Sequence, residues 1–142
     1  MAGKTVRLGL AERQVINIML TNLPEEVKSN VDTARMIRAV YKALDLGGAA
    51  RTVNALQEDA RKLGVELPGW DDILEKSEPM EYEIDSTVLS WLRDRLQQHD
   101  FGKMKVAGQG QARWVEVVVP IAQHVAIANL AEAIAEALSS SS

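Results

Sequence analysis

Met80-Glu81-Tyr82-Glu83-Ile84-Asp85-Ser86-Thr87-Val88-Leu89-Ser90-Trp91-Leu92-Arg93-Asp94-Arg95-Leu96 changes its hydrophobic period part-way along. Up to Asp85, apolar Met80, Tyr82 and Ile84 alternate with acidic residues, the period-two pattern of a short strand with one wet face. Beyond it, Val88, Leu89, Leu92 and Leu96 recur at helical steps, with Trp91 at the edge of that face, so a helix starts from Asp85 or Ser86. A strand turning directly into a helix, with helical patterns ahead of it and a hairpin pattern behind, predicts an α+β fold. Its front half holds three to four helices, followed by a small antiparallel β-hairpin or sheet and a C-terminal amphipathic helix.

Upstream, Val15, Ile16, Met19, Leu20 and Leu23 make a first helix over about residues 10–20, ended by Asn22 and Pro24. A second opens at Asn30 or Asp32, whose side chains accept bonds from free first-turn amides. It turns Met36, Ile37, Val40, Tyr41 and Leu44 to one face and stops at Gly47 and Gly48. Ala49, Val53, Leu56, Ala60 and Leu63 form a third, capped by Gly64. Residues 65–79 hold Pro68, Gly69 and Pro79 and read as a loop anchored by Trp70, with one helical turn at residues 71–74.

Downstream, residues 103–106 and 113–119 read as two strands joined by the turn-rich Ala107-Gly108-Gln109-Gly110-Gln111, with Pro120 ending the second. The last helix, residues 121–138, places Ile121, Val125, Ala128, Ala131, Ile134 and Leu138 on one side, and its alanines suit close packing on the body or on another copy. Residues 1–138 are expected to form a single domain, and Ser139 to Ser142 a polar tail without fixed structure.

The 142 residues are 46% hydrophobic and 25% charged, an ordinary globular balance. Absence of cysteine excludes disulfides, thiol nucleophiles and thiolate metal sites. No stretch reaches the length of a membrane helix or resembles a secretion signal, so the expected location is cytoplasmic. The net charge of −4 opposes indiscriminate nucleic-acid binding. Locally the sign reverses. From Glu66 to Asp85 the net charge is −7, and from Arg93 to Arg113 it is +3.

That reversal suggests a polar contact surface in which charge selects a partner and apolar or aromatic anchors supply affinity. The candidate contacts are Asp71, Asp72, Glu75 and Trp70 on the acidic side, and Arg93, Arg95, Lys103, Lys105 and Arg113 on the basic side. With aromatic residues at only 4%, the tryptophans and Tyr82 are expected mainly in the core.

Catalytic chemistry is poorly provided for. The two histidines, His99 and His124, read as surface or packing residues, so no enzyme and no cofactor is expected. Asp71, Asp72 and Glu75 could face a hard cation such as Mg²⁺ or Ca²⁺, but without an EF-hand loop or a histidine they read as a solvated acidic turn. Gly108-Gln109-Gly110 is followed by a strand, not by the helix a phosphate loop requires, and reads as a hairpin turn. The helix at residues 86–98, followed by a ribbon carrying Lys103, Lys105 and Arg113, also matches the last half of a winged helix. In that arrangement the helix enters a DNA groove and the ribbon touches phosphate.

Taken in order, Leu10-Ala11-Glu12-Arg13, Leu23-Pro24, Trp70 and Glu83-Ile84 resemble small uncharacterised bacteriophage accessory proteins, over roughly the first hundred residues. The resemblance does not extend to the hairpin or the Ala-rich last helix. It implies a non-catalytic protein that binds and modulates a larger host machine, such as a transcription or defence complex. DNA binding is the second expectation, and a phage structural or assembly role with a second copy as partner is the third.

Overall fold

Asp85 closes one strand and caps the next helix, its Oδ1 accepting the Thr87 N–H at 2.8 Å, as the change of period predicts. The computed structural model describes residues 3–23, 25–62, 64, 70–75, 78–108 and 111–139. In chain order these form β1 (Gly3–Leu8), α1 (Leu10–Thr21), α2 (Glu25–Lys28), α3 (Val31–Ala43), α4 (Leu46–Lys62), α5 (Trp70–Glu75), β2 (Met80–Asp85), α6 (Ser86–Gln98), β3 (Lys103–Gly108), β4 (Gln111–Glu116) and α7 (Ile121–Ser139). The class is α+β.

The sheet content is two separate antiparallel ribbons. β3 and β4 form the expected hairpin, from Lys103 opposite Glu116 to Gly108 opposite Gln111. β2 pairs with β1, from Gly3 opposite Asp85 to Leu8 opposite Met80. The sequence reading passes over β1, because only Val6 and Leu8 turn inward there. Those two and Ile84 face a core made with Ala11, Val15, Ile16 and Met19 of α1, Leu89 and Leu92 of α6, and Leu130 and Ile134 of α7. Met80, expected inside, is 60% exposed because it ends the ribbon.

Between α3 and α4 the reading needs a larger correction. Gly47 and Gly48 do not stop a helix; they lie in the first turn of α4, and the break is at Leu44 and Asp45, whose φ is 48°. Asp45 then caps α4, its Oδ1 accepting the Gly48 N–H at 3.2 Å. A Cβ on Gly48 would collide with that carboxylate, so glycine serves close approach here, not termination. From α1, Arg13 Nε donates to Leu44 O at 2.9 Å, and its guanidinium also bonds Asp45 O and lies 5.1 Å from the Tyr82 ring centroid. Asn17 Nδ2 donates to Leu46 O at 3.1 Å, which completes the satisfaction of the corner's carbonyls.

α3 begins as expected, with Asn30 Oδ1 accepting from Asp32 N at 2.9 Å and Thr33 N at 3.2 Å. Of its expected inner face, Val40 and Leu44 are buried, while Tyr41 is exposed. Gly64, at φ 71°, takes the expected left-handed position after α4. Pro24, Leu63, all of residues 65–69, and Lys76 with Ser77 lie outside the described residues.

The last helix also turns differently. α7 buries Ala122, Gln123, Ala126, Leu130, Ile134 and Ala137, whereas Ile121, Val125, Ala128 and Ala131 face solvent. Small residues on the inner side let α7 lie close against β1 and α1. Ser139, assigned to the tail, instead belongs to α7 and donates to Glu136 O at 3.0 Å. β4 ends at Glu116, not at Val119, because β3 offers no partner beyond Lys103 apart from a bond from Val117 N to Gly102 O at 2.7 Å.

Candidate functional site

Three chain segments converge at the base of the hairpin. Asn22 and Leu23 leave α1, Gln98 and His99 end α6, and Lys103 and Trp114 stand on the first and fourth positions of β3 and β4. With Arg95 and Asp100 they line a groove of about 450 Å³.

Local bonding holds this lining in place. Asn22, the C-cap of α1, donates from Nδ2 to Ile18 O at 2.8 Å. Past α6, Asp100 builds the turn into β3, its Oδ1 accepting the Gly102 N–H at 2.9 Å and its carbonyl the Lys103 N–H at 3.2 Å. His99 packs edge-on against Phe101 with ring centroids 4.5 Å apart. Burial pushes its pKa below the ordinary histidine value, opposed by the neighbouring Asp100 charge, so the imidazole is neutral at pH 7.

The groove's free charge is positive. Asp100 spends a carboxylate oxygen on the backbone, Arg95 donates to Gln98 Oε1 at 2.6 Å, and among the described residues neither Arg95 nor Lys103 enters an ion pair. Trp114, expected in the core, is 45% exposed and supplies an aromatic wall. Beyond the hairpin the apolar surface continues along the chain through Val118, Ile121 and Val125, exposed by 93%, 83% and 41%. Such a combination can hold an acidic segment and shelter an apolar side chain. Among the described lining residues there is no serine or threonine for His99 to activate.

The structure divides the residues singled out from the sequence. Arg95 and Lys103 share the groove with Trp114, and Lys105 is the register partner of Trp114. Arg113, one residue before Trp114, points to the opposite face of the ribbon. Arg93 does not line the groove and pairs with Asp94 at 3.2 Å. Trp70, Asp71, Asp72 and Glu75 lie on α5, which packs on α7 and α1; Glu75 is exposed, and the side chains of the other three lie outside the described residues. Sequence reasoning missed Asn22, Leu23, Gln98 and Asp100 and set His99 aside. The only available signal was that His99 and Asp100 sit at the junction of a helix and a basic ribbon.

Among the described residues no group of three or more acidic or histidine side chains can hold a metal ion, and no helix is long and apolar enough to cross a membrane. No protein-family model, curated protein or solved structure matches the chain.

Proposed function

We propose that the protein is a non-catalytic binding module that modulates a larger protein machine by seating an acidic segment of a partner protein, with one apolar or aromatic anchor, in the groove beside Trp114. The observation that carries this is the half-exposed Trp114 standing over a groove bordered by Arg95 and by Lys103, which enters no ion pair among the described residues. A host complex as the target, a phage origin and action in the cytoplasm belong to the same proposal, and they rest on the sequence resemblance and composition alone.

DNA binding draws support from the basic hairpin, but the solvent side of α6 speaks against it. Its exposed residues are Thr87, Asp94, Gln97 and Gln98, and Arg93 is already paired with Asp94. A recognition helix presents its donors to base edges and phosphates.

The test is affinity capture of the wild-type and Trp114→Ala proteins from bacterial lysate, run with and without nuclease, followed by titration of the purified retained partner. We expect a nuclease-resistant partner whose direct affinity drops on Trp114→Ala and on Lys103→Glu. Retention of duplex DNA alone, weakened by the Lys103→Glu, Lys105→Glu pair, would replace this reading with the winged-helix one.

A further inference from the structure

A second cleft, of about 400 Å³, opens where α7 runs along the β1–β2 ribbon. Arg7, Glu81, Glu132 and Glu136 line it together with Glu12 from the first turn of α1. Four carboxylates thus surround one guanidinium. Acidity alone would mean a solvated surface, but Glu12 is different from the other three. It is only 8% exposed, and its Oε2 is buried and accepts no hydrogen bond from the described residues.

A buried carboxylate oxygen without a donor forfeits its hydration and receives nothing in return. The amino end of α1 offsets part of this, since its first-turn amides favour negative charge and its N-cap, Gly9, has no side chain to cap it. What Glu12 Oε2 still lacks is a hydrogen-bond donor, best a charged one, arriving from the cleft. Arg7 lines the same cleft, yet it is exposed and enters no ion pair among the described residues. A bare metal ion fits poorly, because no three acidic side chains among the described residues converge closely enough to coordinate one. A cationic group that carries its own N–H donors suits both the cleft's net charge and the orphaned oxygen.

We propose that this cleft binds an organic cation, a primary ammonium or a guanidinium, whose N–H groups bond Glu12 while Glu132 and Glu136 at the rim hold its charge. The cation is either a free polyamine or the side chain of a basic residue on another polypeptide. This inference does not depend on the groove at Trp114.

The experiment is calorimetric titration of the full-length protein at low salt with spermidine, with N-acetyl-arginine methylamide and with MgCl2. We expect one of the organic cations to bind with Kd near or below about 1 mM. Spermidine binding would identify a free amine as the source, and binding of the arginine derivative alone a polypeptide side chain. Glu12→Gln keeps the shape and removes the charge, and should weaken binding roughly tenfold without lowering Tm, because it takes an uncompensated charge out of the interior. The exposed double variant Glu132→Gln, Glu136→Gln should weaken it by about threefold, and added salt should do the same. Three results overturn the proposal: no binding of either organic cation, binding that Glu12→Gln leaves unchanged, or binding of magnesium alone.

Discussion

The two ribbons have strands of the same length and the same antiparallel pairing, yet they are held in opposite ways. β1 and β2 come from distant parts of the chain and are covered by α1, α3, α6 and α7, with Val6, Leu8 and Ile84 buried. β3 and β4 are neighbours in sequence and pair chiefly with each other, leaving Trp114 and the Val118 that follows on the surface. An isolated hairpin is only marginally stable, so the second ribbon depends on its base at Asp100 and Gly102. One ribbon organises the core, and the other presents side chains.

This contrast is easiest to break at Leu8. Leu8→Ala removes a fully buried side chain and should cost about 3 kcal/mol in urea unfolding, whereas Val118→Ala should stay within about 0.5 kcal/mol of wild type. Equal losses at the two positions would end the distinction. Next in size, Arg13→Met strips the donors from the Leu44 and Asp45 carbonyls and the cation from Tyr82, with an expected loss of about 2 kcal/mol. A loss below about 0.5 kcal/mol would show that water serves the corner equally well. On the other ribbon, Trp114→Ala should leave the unfolding midpoint nearly unchanged while weakening the captured partner about tenfold or more. A drop in stability with intact affinity would make Trp114 part of the core after all.

The smallest effect belongs to His99. Because burial lowers its pKa in the folded protein, the unfolded chain binds a proton first as the pH falls. Stability from this group is complete above the ordinary histidine pKa of about 6.5 and is lost as the pH drops below it toward the folded value. His99→Gln should therefore flatten the difference in stability between pH 7.5 and 5.5, measured by urea unfolding. A variant with the wild-type slope would remove His99 as the cause.

Much of the fold was legible because it depends on local signals. Asn30 and Asp85 announce their helices as caps, and the period change at Asp85 separates strand from helix. Gly48 misled because a glycine read in sequence does not reveal which atom needs its missing Cβ, here the Asp45 carboxylate from three residues earlier. In α7 both sides are apolar, so periodicity could not choose between Ile121 with Val125 and Ala126 with Leu130. The choice came from the close approach that alanine permits. β1 was hidden because its partner lies far along the chain. The groove was legible only in part: Arg95 and Lys103 stood out as charges, but nothing local connects them to Asn22 and Leu23, which arrive there by tertiary packing.

The pairing of Gly3 with Asp85 also sets a timetable for synthesis. At about 5–20 residues per second, a ribosome takes on the order of ten seconds to deliver β2 after β1 has emerged. During that interval β1 has no strand to pair with, while α1, α3 and α4 can already meet around the Arg13 corner. α7, which covers the ribbon, follows both strands in the chain. A nascent chain stalled before residue 121 would therefore display the Val6 and Leu8 face without its lid, a state for chaperones to recognise.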